Sequence, residues 1–234
     1  MPPPPLEEAG DAAAPGRARR HASWSAIVLS VVLLFVLAVA LGLLLSNHRH
    51  TSAAPATVEQ AAVGTGFLGT LAVPSKPAPA IELRNYLGRP VTLAEYRGRA
   101  VLVTFIYTHC PDVCPLITSN LRVAMNQLGP RASRAQIIAV SVDPRGDTPA
   151  AVAGFLRAHG MVGRMQYLIG SPAELARTWA AWSVGSKREV GQPDLVEHSA
   201  LIYGVSASGR MTTIYPATFE PGDIAHDVPK LAAR

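Results

Sequence analysis

The chain has 234 residues, with 21 Lys and Arg against 16 Asp and Glu and a formal charge of +5. The basic residues are scattered and nowhere interleaved with aromatics, so nothing beyond the sign of the charge supports nucleic-acid binding. Only two residues are cysteine, which excludes a scaffold built on disulfides.

Residues Met1 to Arg20 are rich in Pro, Ala and Arg. They hold too little apolar surface to offset the entropy of ordering, which predicts a disordered tail over residues 1–23. Trp24 to Leu45 comes next, 22 residues without a formal charge. As a helix it would span about 33 Å, enough to cross a hydrocarbon core of about 30 Å. Arg17, Arg19 and Arg20 precede it, and Arg49 is the only Lys or Arg between it and Lys76. The positive-inside bias therefore predicts a single transmembrane helix with a cytosolic N-terminus, Trp24 at the interface, and the remainder outside the cytosol. A cleaved signal peptide competes, because Thr51–Pro55 offers small residues, but the apolar run and the tail before it are long for one. Glu7, Glu8 and Asp11 argue against a mitochondrial transit peptide, which would be acid-poor. The setting expected is a bacterial inner membrane, crossed once.

Residues 46–78 read as a flexible extracytoplasmic tether, in which Phe67–Val73 offers one short strand to the domain beyond. His48 and His50 read as a solvated juxtamembrane pair. Residues 79–234 then make one domain of ordinary size. Ile81–Leu87 and Gly88–Leu93 read as two strands about a turn at Leu87-Gly88-Arg89. Val101–Tyr107 is short, apolar and β-branched, as a buried strand is. Leu116–Leu128 carries Ile117, Leu121, Met125 and Leu128 as the inner stripe of a helix that Gly129-Pro130 stops. Ile137–Val142 is a continuous apolar run of the kind buried on both faces of a parallel sheet. Thr148 and Pro149 cap a helix that turns Val152, Phe155 and Leu156 inward and ends near His159-Gly160. Met165–Ile169 is a third parallel strand. Ser171-Pro-Ala-Glu174 is a capping box opening a helix with Leu175, Trp179 and Trp182 on one side, the tryptophans reading as core. Ser186–Leu195 reads as a polar loop, Val196–Tyr203 and Arg210–Tyr215 as a hairpin turning at Ser206–Gly209, and Pro221–Ala232 as a closing helix. The order is that of a thioredoxin-like α/β fold with an N-terminal hairpin and an inserted αβ unit.

Both cysteines lie in Tyr107-Thr-His-Cys-Pro-Asp-Val-Cys-Pro115, where the Val101–Tyr107 strand ends. Residues i and i+4 share a helix face, so the sulfurs of Cys110 and Cys114 can converge, and Cys110 near a helix start would have backbone donors and the positive dipole end to stabilise a thiolate. Two small buried hydrophobes, or a structural disulfide, are the bland alternatives. Such a disulfide would close a loop of a few residues and constrain little. Metal binding or thiol redox accounts better for both cysteines in one Pro- and Asp-flanked turn. Asp112 between them divides evenly between modulating the thiols and ordinary helix capping. His198 begins the strand that this fold brings over its thiols. Two thiolates and an imidazole are a soft set suited to Cu(I), and to Cu(II) with a weak further ligand; zinc would accept them with a water, but it does not cycle and copper leads it in affinity.

Three motifs stand in order along the chain: Thr108-His-Cys-Pro-Asp-Val-Cys-Pro115, Ser141-Val-Asp-Pro-Arg-Gly-Asp-Thr-Pro149 and Glu197-His-Ser-Ala-Leu-Ile-Tyr203. With them the domain, from about Pro77 to Leu231, resembles the Sco/SenC family of thioredoxin-like copper proteins that assemble cytochrome c oxidase. The resemblance implies that Cys110, Cys114 and His198 bind copper, and that Asp143 and Asp147 belong to an acidic loop near the site. It further implies delivery of copper to the CuA centre of oxidase subunit II, or reduction of that centre's thiols, with another extracytoplasmic copper chaperone as a further partner. Two features depart from the family pattern: the entry Pro79–Gly88, and a glycine, Gly146, where a charged residue is common. The expectation is a membrane-anchored metallochaperone. A thiol–disulfide oxidoreductase using Cys110 and Cys114 is the rival, although its usual motif is C-x-x-C; a thiol peroxidase, which needs one cysteine in a Pro-Thr-rich loop, fits less well.

Overall fold

A computed structural model describes residues 28–39, 41, 66–189 and 192–234. The chain divides into two units, Met1–Pro55 and Ala56–Arg234. The expected tail, most of the tether, and His48 and His50 lie outside the described residues. In the first unit, helix α1 covers residues 28–39 and 41, and its large side chains, Leu29, Leu34 and Phe35 among them, are exposed. Among the described residues no helix is long and apolar enough to cross a membrane. Of the transmembrane helix expected over Trp24–Leu45, residues 28–39 and 41 are described and helical, and the rest of that span lies outside the described residues.

The second unit is organised by an eight-stranded mixed sheet. Three parallel strands form its centre: β4 (Ala100–Ile106), β5 (Ala135–Ser141) and β6 (Met165–Ile169). All seven residues of β4 are buried, as its unbroken apolar run requires. Beyond β6 lies the hairpin β2 (Glu82–Asn85) and β3 (Pro90–Thr92). Gly88 holds a φ of 82° in its turn, a conformation glycine adopts without cost. On the other side β4 pairs antiparallel with β9 (Leu201–Val205), then come β10 (Arg210–Pro216) and β1 (Thr70–Pro77), giving the order β1-β10-β9-β4-β5-β6-β2-β3. β1 supplies the strand that Phe67–Val73 offered, a few residues further on.

Helix α2 (Val113–Leu128) succeeds β4 and packs on the last helix, α5 (Pro221–Leu231). Helix α3 (Pro149–Ala158) connects β5 to β6, and α4 (Pro172–Ala181) leaves β6. The caps read from sequence are in place. The Thr148 side chain accepts the Ala151 N–H with Pro149 at the first helical position, and Ser171 and Glu174 close a capping box. Each such cap contributes about 1 kcal/mol and fixes where the helix begins. Two expectations fail here. The polar stretch after α4 is no loop: β7 (Ser186–Glu189) and β8 (Gln192–His198) form a separate two-stranded sheet. The single strand expected over Val196–Tyr203 is accordingly broken at Ser199-Ala200, with β8 on one side and β9 on the other.

Candidate metal centre

The site forms where β4 stops. Tyr107 is still buried, Thr108 and His109 turn outward, and the chain reaches Cys110 before α2 has started. Cys110 is thus outside the helix, a correction to the shared-face geometry expected for the pair. The reason is local: Pro111 disfavours the helical region for the residue before it. Asp112 is the N-cap, its carboxylate accepting the Val113 N–H, so its capping role is established directly. The sulfurs meet regardless. The turn folds Cys110 back so that its Sγ accepts the Cys114 N–H at 3.4 Å, and the neighbouring Cys114 thiol favours the thiolate form of that sulfur.

That arrangement separates the two thiols. The Cys114 thiol, with the backbone N–H groups of Asp112 and Cys114, outweighs burial and lowers the Cys110 pKa from 9.0 to about 6. Cys114, beside the Cys110 sulfur and fully buried, is pushed strongly upward. A first thiolate at Cys110 is what open N–H groups at a helix start stabilise. Both cysteines are free thiols.

His198, the last residue of β8, brings Nε2 to 3.7 Å from Cys114 Sγ. Burial lowers its pKa, which favours the neutral imidazole that a metal needs. Its Nδ1 is buried without a hydrogen-bond partner among the described residues. The ring stands edge-on to Tyr107, with centroids 5.7 Å apart, and Tyr107 Oη accepts the Val196 N–H at 3.4 Å. A cavity of about 340 Å³ opens beside it, lined by Gly185, Ser186, Lys187, Glu197, His198 and Ser199. Thiolate and imidazole bonds of about 2.3 and 2.0–2.1 Å at a tetrahedral angle put sulfur and nitrogen about 3.6 Å apart, so Cys114 and His198 already have the spacing of two ligands on one ion. Among the described residues no group of three His, Cys, Asp or Glu side chains is closed into a ready cage. The three donors are linked in sequence, Cys110 to Cys114 to His198.

The two acidic positions do something else. Asp147 is buried and receives four donors: Thr108 N–H and Oγ1–H at 2.8 Å each, Ser141 Oγ–H at 2.6 Å and Tyr167 Oη–H at 2.9 Å. Burial raises its pKa against those bonds. It ties the start of the cysteine turn to the end of β5 and the middle of β6. Asp143, also buried, accepts the Arg145 N–H at 3.2 Å and shapes the loop between β5 and α3. Gly146 now has a physical reason. A Cβ there would overlap the Asp143 carboxylate and lie 3.0 Å from His109 Nδ1. Sequence reasoning passed over Tyr107, Thr108 and Tyr167. The first two sat inside the quoted motif; nothing marked the third, an aromatic in a core strand.

Fold and site together define a thioredoxin-like domain with a dithiol–imidazole centre at the end of its central strand. The SCO1/SenC family model matches residues 74–233, and the chain belongs to that family. It is 30% identical over 165 residues to the mitochondrial Protein SCO2 homolog of Bos taurus, an alignment covering 68% of this chain and 56% of the relative, so it spans little more than half of that protein. Among solved structures it is similar to copper-bound ScoI of Bradyrhizobium japonicum, with a TM-score of 0.59 and 30% identity over 67% of this chain and 99% of that one. It also shares its fold with BsSco, a member of the Sco family of cytochrome c oxidase assembly proteins in which a disulfide switch has been identified, at a TM-score of 0.57 and 23% identity, covering 68% of this chain and 95% of BsSco.

Proposed function

We propose that this chain is a membrane-anchored copper metallochaperone for the CuA centre of cytochrome c oxidase. Cys110, Cys114 and His198 hold one copper ion and release it to oxidase subunit II by ligand exchange, after receiving it from another extracytoplasmic chaperone. The observation that carries this reading is the 3.7 Å approach of His198 Nε2 to Cys114 Sγ, beside a Cys110 sulfur already poised as thiolate. Family membership and the copper held by the Bradyrhizobium relative support it. The donor set fits: two soft sulfurs and a neutral nitrogen suit Cu(I) and tolerate Cu(II). Asp112 and Asp147 act on the turn that presents the cysteines and Asp143 on the loop between β5 and α3, not on the ion. The charge-free run Trp24–Leu45, the Arg residues before it and the exposed apolar faces of α1 support a lipid anchor in a bacterial inner membrane, N-terminus in the cytosol.

The test loads the full-length chain with Cu(I), and separately with Cu(II). Wild type should bind a single ion. His198→Ala should lose affinity by at least about 100-fold, and the nitrogen coupling of its Cu(II) signal should vanish in electron paramagnetic resonance. Tight, stoichiometric Cu(I) binding retained by a Cys110→Ala/Cys114→Ala variant would sink the proposal. A second reading rests on the lowered Cys110 pKa and the contact between two free thiols: a thiol–disulfide oxidoreductase keeping the subunit II cysteines reduced. His198→Ala separates them, since a reductase keeps its exchange activity without the imidazole.

A further inference from the structure

The Asp147 bonds lead outward to a side chain that the copper triad does not use. Thr108 has one hydroxyl hydrogen, and it is given to Asp147 Oδ1 at 2.8 Å. The same Oγ1 lies 3.1 Å from His109 Nδ1. With the threonine hydrogen committed, that contact closes only if Nδ1 carries the ring proton and donates it, because a hydroxyl oxygen has spare acceptor capacity but no second proton. In the neutral ring Nε2 is then left with its lone pair. His109 is exposed, whereas Cys110 and Cys114 are buried and His198 is partly so. The missing side chain at Gly146 leaves the ring its place, since a Cβ there would lie 3.0 Å from Nδ1. An imidazole whose far N–H is backed by a chain ending on a carboxylate is oriented as metal-binding histidines are, with tautomer and ring direction fixed from behind.

We propose that His109 is a rim ligand for copper: this exposed residue, one position before Cys110 and oriented by Thr108 and Asp147, uses its Nε2 to take the ion from a donor or pass it to an acceptor on the way to the Cys110–Cys114–His198 centre. The inference rests on the copper reading above. In the exchange, Nε2 forms a bond to Cu(I) as a donor–copper bond breaks, and that bond breaks in turn as Cys110 Sγ binds. Copper stays Cu(I) throughout. The effect is kinetic, a stepping point between solvent and a buried sulfur.

The test compares full-length wild type, His109→Ala, Thr108→Val and Thr108→Ser, using the Cu(I)–bicinchoninate complex as donor. Equilibrium affinity in His109→Ala should stay within about twofold of wild type, while uptake should slow about tenfold. In copper-free protein the ¹⁵N shifts of the His109 ring should report the Nδ1–H tautomer, lost in Thr108→Val and restored with the uptake rate in Thr108→Ser. Wild-type uptake in His109→Ala, an Nε2–H ring in wild type, or an affinity loss equal to that of His198→Ala would each overturn the rim ligand. Failure of wild type to take up copper at all would remove the copper reading and this inference with it; normal loading at an unchanged rate in His109→Ala removes this inference alone.

Discussion

The two halves of the centre are held by different means. The cysteine half hangs from the middle of the sheet. It extends a strand buried along its whole length, its turn is fastened through Thr108 to a carboxylate that also grips β5 and β6, and its second cysteine lies in the first turn of a capped helix. The histidine half hangs from β7 and β8, which among the described residues pair only with each other. Ser186 Oγ–H to Val142 O at 3.3 Å, Val196 N–H to Tyr107 Oη at 3.4 Å and the buried Val196 side chain fasten that hairpin to the rest. The sulfurs are therefore preorganised by the global fold, whereas the imidazole is delivered by a local element whose hydrogen bonds to the rest, among the described residues, are long. Damage to the first half should cost stability, and damage to the second should cost mainly the site.

Asp147→Leu is the strongest way to break that contrast. It leaves the Thr108 N–H and the Thr108 and Ser141 hydroxyls facing an apolar group, while the Tyr167 hydroxyl keeps the Ile106 carbonyl at 3.2 Å. Unpaired buried donors cost about 1–3 kcal/mol each, partly offset by no longer burying a charge, so a net loss of about 3 kcal/mol is expected from denaturant midpoints. Asp147→Asn, which keeps an acceptor for Thr108, should lose much less. An equally severe loss in both would mean that the charge and not the acceptor geometry matters. Cys110 gives the next largest effect, and it depends on pH. Its folded pKa is depressed from 9.0 to about 6, so the stabilisation it supplies is complete above about pH 9 and is lost as pH falls toward about 6. Cys110→Ser should flatten that part of the stability curve. In the copper-free protein one thiolate should appear in far-ultraviolet absorbance near pH 6, with the second far above it; a single step near pH 9 would contradict the separation of the two thiols.

The cysteine half was also the more legible in sequence. Continuous apolar runs and end signals such as Thr148-Pro149 and Ser171-Pro-Ala-Glu174 carry their meaning within a few residues, so β4 to α4 can be placed from local pattern. Pro111 was a readable sign that Cys110 stays outside the helix, but the i, i+4 spacing pointed the other way. The β7–β8 hairpin could not be read, because Ser186–Leu195 is mostly polar and lacks the alternation of a half-buried strand. Asp147 was named for its place in an acidic loop, yet its partners come from three separate stretches of chain, and only the folded sheet brings Thr108, Ser141 and Tyr167 to one carboxylate. His198 was placed near the thiols by fold analogy. The fold does bring it there, by a hairpin that the sequence did not announce.

One residue belongs to both halves, and the smallest expected effect tests it. Tyr107 closes the β4 end of the core, and its hydroxyl favours the Cys110 thiolate while accepting the Val196 N–H from β8. Burial pushes its own pKa up to about 12, so it remains a protonated donor at physiological pH. Tyr107→Phe keeps the ring, its packing against His198 and the filled core, and removes only that strap. The stability loss should be about 1 kcal/mol, the usual size for one net hydrogen bond. The sharper readouts lie at the site. The Val196 amide should exchange faster with solvent than in wild type, and the Cys110 titration should move upward from about 6, having lost one of the donors that favour its thiolate. If the Cys110 titration moves while Val196 protection does not, the strap serves the cysteine half alone and the hairpin is held by Val196 packing. If protection is lost and the titration stays, Tyr107 anchors the histidine and leaves the sulfurs to the helix start. Both should move together, because one hydroxyl supplies the donor to one half and the acceptor to the other.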